Sequence, residues 1–290
     1  MSALANFVIR NNKMFFRNRM QVFFSVLSII ILIGLYAIFL QKLQVDSIAE
    51  MAKQNAAIKT LVNEWMIAGV LSIIPVTSTL GAYSLYVQDN ERKILYDFLT
   101  TPMSRHTIQF SYMLSAFQIG LFMTLIAFIG CEIFLVATGG EWLSFTSLLK
   151  VLGVLVLAVF LSSVMMFFFT LIIKNSGTFS AFSSIVSTMI GFLCGVYVPM
   201  GVLPVFVQKV VEIFPISHTT VLLRQLFMEP TLPTVFGNMT ANKESYMLAF
   251  GGQYKVNGAI LTMAQSTGYV IFAIVVFTLI SLVIYRLKNK

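Results

Sequence analysis

Long apolar stretches separated by short polar runs organise this chain. An apolar helix needs about 20 residues to cross the hydrocarbon core of a bilayer. Six stretches qualify: 22–40, 65–87, 107–136, 146–173, 178–198 and 263–285. The third and fourth are long enough to tilt or to run past the membrane surface. Between the second and third lies the most charged short run, QDNERKILYDFLTTPMSR at 88–105. It reads as a short amphipathic helix over 89–103. Ile94, Leu95, Phe98 and Leu99 fall on one face, and Arg92, Lys93, Tyr96 and Asp97 fall largely on the others. Asp89 or Asn90 is placed to cap its start. Pro102 stops it, because proline has no amide to donate and clashes with the preceding turn. Taken alone, the run also fits an ordinary solvated loop.

The other polar segments differ in character. Residues 1–20 carry Arg10, Lys13, Arg17 and Arg19 among Phe7, Val8, Phe15 and Phe16, the composition of an interfacial helix. They show no small-residue cleavage site after a short apolar core, so a cleaved signal peptide is not expected. Residues 41–64 form a polar loop of mixed charge that could be helical. After the fifth span, Pro204 and Pro215 bracket one short helical piece, and a second runs from Ser217 to about Met228. Each is too short to span and each carries charge (Lys209, Glu212, Arg224). Such broken helices over 199–228 read as a re-entrant or interfacial hairpin, with a pair of ordinary surface helices as the alternative. Residues 229–262 read as a loop rich in Gly, Asn and Thr. Its Asn238-Met239-Thr240 triplet matches a glycosylation sequon, a pattern that often arises by chance.

Within the spans, small and weakly polar residues form stripes. Gly177, Ser180, Ala181, Ser184, Ser187, Thr188, Gly191 and Gly195 recur at helical spacing in and around the fifth. Small residues let helices approach closely in lipid, so tight packing within the protomer is the first reading. A dimer contact and the wall of a transport path are the sharper ones. Ser78 and Thr79 give the second span a comparable face. Glu132 is the one clear carboxylate deep in a span, which makes a pathway role the default for it; a position near the outer interface is the alternative. His218 reads as structural or interfacial.

Composition and charge narrow the class. The chain is 58% hydrophobic and 10% charged, with a mean hydropathy of +0.89. A soluble domain averages roughly 25% charged residues, so this is an integral membrane protein without a soluble domain. The formal net charge of +8 falls mostly on one side. If the N-terminus is cytoplasmic, that side gathers Arg10 to Arg19, Arg92, Lys93, Arg105, Lys174, Arg286, Lys288 and Lys290 against only Asp89, Glu91 and Asp97. Both termini are therefore expected on the cytoplasmic side of a cell membrane, and a bacterial plasma membrane is the expected setting. The basic balance is a topology signal, and no nucleic-acid partner is expected. Cys131 and Cys194 both lie inside spans, with no spacing that suggests a metal site or a disulfide framework. No phosphate-binding G-x-x-x-x-G-K-[ST] loop occurs, and no catalytic constellation. Uphill work would draw its energy from another polypeptide or an ion gradient.

Two segments together resemble the transmembrane subunits of type 2 exporters of the ATP-binding cassette (ABC) superfamily. Glu91–Ser104 has the opening acid–base pair, the apolar middle and the Thr-Pro-x-Ser close of that family's cytoplasmic coupling helix, with a bulkier Ile94 where the family has a small residue. Gly195, Pro199, Pro204, Pro215 and Arg224 match the spacing of the family's extracellular re-entrant hairpin. The resemblance covers the whole chain. It implies a single all-α membrane domain over 1–290 with six transmembrane helices, an N-terminal amphipathic interfacial helix, a coupling helix and a hairpin before the last span. Residues 229–262 would be an extracellular loop longer than the glycan-exporting branch suggests.

The implied function is that of a permease subunit working by alternating access. Its implied partners are cytoplasmic ABC ATPase subunits, a second permease copy or paralogue, and membrane lipids. ATP and Mg would be held by the ATPase, leaving this chain with no cofactor of its own and no enzymatic site. A hydrophobic or amphipathic cargo (a drug, antimicrobial peptide, pigment or lipid-like toxin) is the first reading. A lipid-linked glycan or polymer is the second, and a non-transporting membrane scaffold or sensor the third. The expected coupling residues are Glu91, Arg92, Ile94, Leu95, Asp97, Phe98, Leu99 and Pro102. The apolar ones would fill a groove on the ATPase, with Glu91, Arg92 and Asp97 at its rim. Ser78, Thr79, Glu132, Ser180, Ser184, Ser187 and Gly191 are the expected pathway or packing residues.

Overall fold

A computed structural model describes residues 3–49, 56–100, 104–256 and 258–288. Among them, six helices are long and apolar enough to cross a membrane, at the places where the apolar stretches predict them. The chain folds around one of these, α4 (Ala57–Glu91). Its 35 residues rise about 50 Å at 1.5 Å each, well beyond the roughly 30 Å of a hydrocarbon core. The span is buried along almost its whole length, from Ile58 to Val87. Pro75 sits inside it. Proline there removes a backbone hydrogen bond; in the following turn Ser78 Oγ donates to the Ile74 carbonyl at 2.6 Å and Thr79 Oγ1 to that of Pro75 at 2.7 Å.

Around α4 stand α2 (Arg19–Leu35), α6 (Arg105–Ala137), α7 (Phe145–Ile172) and α8 (Ser176–Leu193). The last span, α13 (Met263–Lys288), leans on α7 and α10 (Pro215–Met228). Gly120 of α6 is where α6, α4 and α7 meet most closely. A Cβ there would lie 2.8 Å from Thr79 Cγ2 and 3.1 Å from Val159.

α1 (Ala3–Arg17) carries its aromatics on one side and lies along α6, with Phe7, Val8 and Phe15 buried. Asn18 breaks it from α2 and caps α2 by accepting from the Gln21 amide at 3.2 Å. α2 continues through a π-helical turn (Tyr36–Leu40) into α3 (Gln41–Ala49), so the polar segment expected after the first span begins as helix.

Three sequence expectations are corrected here. The amphipathic helix is α5 (Ile94–Leu99), shorter than 89–103. Asp89 and Asn90 do not cap it, because they belong to the last turn of α4; Lys93, in the left-handed region at φ 62°, divides the two helices. Pro102 lies outside the described residues. The fifth span ends at Leu193 instead of 198, since Gly195 at φ 60° turns the chain. Residues 229–262 are not a plain loop. They hold α11 (Leu232–Phe236), α12 (Thr240–Ala249) and a two-stranded ribbon, β1 (Lys255–Val256) against β2 (Ala259–Ile260).

Candidate functional site

Three groupings of expected site residues emerge. The first is where α4 ends. Asp89 is buried and accepts from Arg10 of α1 at 2.6 Å and from the Tyr112 hydroxyl of α6 at 2.5 Å. Arg10 also donates to Tyr112 at 3.3 Å. Partial burial pulls the Arg10 guanidinium down, but the bonds to Asp89 and Tyr112 outweigh it and hold it above its ordinary range. Phe7 sets its ring edge-on to Phe98 of α5 at 4.6 Å and to Tyr112 at 5.4 Å, and Arg10 lies over the Phe98 ring at 5.2 Å. Leu95 and Phe98 pack against the protein's own core. The expectation that they fill a partner's groove is therefore revised for these two, because each already packs within the chain, Phe98 against Phe7 of α1. Glu91, Arg92, Lys93, Asp97 and Thr100 are exposed at this corner, and Ile94 is half-buried.

Glu91 is also placed differently from a partner-facing rim. Its carboxylate accepts from the backbone amide of Ser176 at 3.1 Å and from the Ser176 hydroxyl. Ser176 opens α8, with Asn175 capping that helix through Thr178 at 2.7 Å. A carboxylate is well placed where a helix exposes unpaired amides and a partial positive charge. One short corner thus ties α1, α4, α5, α6 and α8 together. Through Glu91 the end of α4 is bonded directly to the start of the fifth span.

The second grouping is a cavity of about 650 Å³ between α2, α4 and α8. Ser78, Ser180, Ser184 and Ser187 all line it, beside Phe24, Ile29 and Tyr197. Four of the expected pathway residues are brought together in this way. Three others are not. Thr79 is fully buried against Gly120. Gly191 lies under the ring of Tyr197, so close that any Cβ would have to displace the ring. Glu132 sits elsewhere, near the far end of α6, and is outside the cavity lining. The first reading of the α8 stripe, tight packing within the protomer, is also revised: Ser180 and Ser184 are exposed.

The third grouping holds the hairpin. Pro204 precedes α9 (Val205–Ile213), Pro215 is the first residue of α10, and Pro199 precedes a 3-10 turn, Met200–Val202. Proline suits a first helical position, where its missing amide would be unpaired anyway. Arg224 of α10 is fully buried. It donates to the carbonyl of Gly195 at 2.7 Å and of Gly251 at 3.3 Å, and lies over the Trp65 ring at 4.5 Å. Burial pulls its guanidinium down to about 10, which leaves it charged at neutral pH. Trp65 in turn donates to the Phe250 carbonyl at 2.6 Å, and Gln225 to Gly252 at 2.8 Å. The turn after α8, the hairpin and the segment after α12 are thereby fastened to α4. Trp65, Phe250 and Gly251 escaped sequence reasoning, since partners 185 residues apart leave no local pattern. His218 has a structural setting, with Nε2 at 2.8 Å from the Glu212 carbonyl and its ring between Tyr254 and Tyr269.

Comparison with known proteins gives one positive finding. Residues 3–228 match the model of the ABC-2 type transporter family, so the chain belongs to that family. The match runs from α1 through the hairpin, enclosing the corner at α5, the cavity beside α8 and Arg224, while the carbonyls of 250–252 lie beyond it. No curated protein matches the chain.

Proposed function

We propose that this membrane subunit of an ABC transporter forms half of an ATP-driven exporter for a hydrophobic or amphipathic compound. A drug, antimicrobial peptide, pigment or lipid-like toxin would fit. The observation that carries this reading is the α2–α4–α8 cavity. Its 650 Å³ falls in the range that holds a drug-sized ligand, roughly 300–1,000 Å³. Its walls are largely apolar, with a row of serine hydroxyls on one side. That mix suits a greasy molecule with few polar groups better than a glycan, whose many hydroxyls would each need a partner. A lipid-linked glycan or polymer remains the alternative cargo. A non-transporting scaffold or sensor would have no use for an open cavity joined to a bonded corner.

In this reading a second copy or paralogue faces the open side of α8 about a two-fold axis and closes the path. Both termini, α5 and the Arg10–Asp89–Tyr112 cluster face the cytoplasm, where the ATPase subunits dock. The exposed Arg92 and Asp97 meet the ATPase directly. Phe98 holds α5 to α1 and Leu95 holds it to the core, so that force on α5 reaches α4 and, through Glu91, α8. ATP, held with Mg by the partner, acts by favouring one arrangement over the other. Burial of one large apolar side chain contributes about 1.5–3 kcal/mol, an exposed ion pair roughly 0–1. Leu95→Asp should therefore abolish transport and substrate-stimulated ATPase activity in the reconstituted complex, while Asp97→Asn weakens them only modestly. Wild-type transport by Leu95→Asp would refute the role given to α5.

A further inference from the structure

At the end of the bundle remote from α5, a second pocket of about 350 Å³ opens between the start of α4, the turn from α6 to α7 and the start of α11. It shares no lining residue with the α2–α4–α8 cavity. Its lining is rich in hydroxyls (Thr60, Ser144, Thr231) and holds two carboxylates, Glu64 and Glu141, with Trp142 beside them. Glu64 is only 4% exposed. Its Oε1 accepts from the Thr231 hydroxyl at 2.6 Å, whereas its buried Oε2 has no hydrogen-bond partner. Glu132, 5% exposed, is within electrostatic reach of Glu64 and likewise has an unpartnered oxygen, Oε1. Among the described residues no lysine or arginine lines the pocket; Lys59 on α4 and Lys150 on α7 are exposed. A buried carboxylate oxygen without a donor is costly, and a second carboxylate nearby raises the cost. A positive charge entering the pocket would relieve both.

We propose that this pocket binds an organic ammonium group, with the Glu64 carboxylate as its principal acceptor, Glu132 supplying further negative potential and Glu141 and Trp142 forming the rim. A bare metal ion fits less well. No group of three His, Cys, Asp or Glu side chains set to hold one exists among the described residues, and the volume exceeds what an ion needs. Trp142 is 64% exposed, and an exposed indole face attracts alkylammonium ions. Under the orientation proposed above the pocket faces outside. Binding itself depends on neither that orientation nor an ATPase.

The test uses the full-length chain in lipid nanodiscs, titrated with choline at constant ionic strength and followed by calorimetry and tryptophan fluorescence. Saturable binding is expected, with a fluorescence change that Trp142→Phe largely removes. Glu64→Gln should lower the affinity about tenfold or more, since it removes the charge from the acceptor. Ser184→Ala, in the other cavity, should leave it unchanged. Thermal unfolding checks that each variant is folded, and Thr231→Val provides a second, milder probe of the same carboxylate, with an expected loss of about threefold. Three outcomes overturn the proposal: no saturable choline binding, equal binding by wild type and Glu64→Gln, or Ca²⁺ alone binding in a Glu64-dependent way while choline does not.

Discussion

The second and fifth spans, α4 and α8, are both apolar helices striped with small and hydroxyl residues, yet they sit in opposite surroundings. In the most apolar stretch of α4, 89% of residues are buried, against 17% for α8. Hydroxyls on both bond carbonyls of their own helix, those of Thr77, Ser78 and Thr79 around Pro75 on α4 and those of Ser184 and Thr188 on α8; on α4, Thr79 is in addition packed against Gly120. On α8, Ser180, Ser184 and Ser187 line an open cavity, and most of the helix is uncovered by the described residues. A small-residue stripe alone therefore does not say whether a helix is an axis or a wall. What separates them is the rest of the circumference. α4 offers Leu, Ile and Val all round and is enclosed on every side, whereas α8 is apolar on fewer sides and is covered on one.

The difference can be pressed hardest at Gly120. Gly120→Leu forces a side chain against Thr79 and Val159, and overpacking of this kind costs about 1–3 kcal/mol or more. A marked fall in thermal stability of the purified subunit is expected. Arg224→Met should rank next. It leaves the Gly195 and Gly251 carbonyls without their charged donor, and breaking a buried charge-assisted contact costs about 1.5–3 kcal/mol; loss of the hairpin's protection in hydrogen exchange would report it. Gly191→Ala must displace the Tyr197 ring, a smaller effect because an aromatic side chain at the cavity wall has room to turn. Ser184→Val, in contrast, should change unfolding by no more than about 0.5 kcal/mol while altering transport. A destabilisation by Ser184→Val as large as that of Gly120→Leu would erase the distinction between axis and wall.

Much of this was legible in the sequence, and the reasons are physical. Six spans follow from continuous apolar runs, which no soluble fold could hide. The hairpin follows from Pro204 and Pro215, whose effect on a helix is local. The corner at α5 was legible in position but not in detail. Asp89 reads as a helix cap until Arg10 and Tyr112 are seen to close on it, and those partners lie 79 and 23 residues away. Glu91 likewise reads as a surface charge, because nothing in its neighbourhood announces Ser176. Phe98 was expected to serve a partner. Its neighbour in the folded chain is Phe7, on a helix whose docking site is set by α6. The 229–262 segment was least legible, since its order depends on Arg224, Gln225 and Trp65 clasping carbonyls of 250–252, and carbonyls leave no mark in a sequence.

The central claim is that the cavity beside α8 is a transport path whose opening the ATPase controls. A single cysteine at position 184, in a background with Cys131 and Cys194 replaced by alanine, tests it most directly. The complex with its ATPase partner is reconstituted, and labelling by a bulky membrane-impermeant thiol reagent is timed with and without ATP trapped by vanadate. The rate should differ several-fold between the two states, and the labelled complex should no longer transport. Equal labelling rates in both states, together with transport undiminished by the label, would contradict the account.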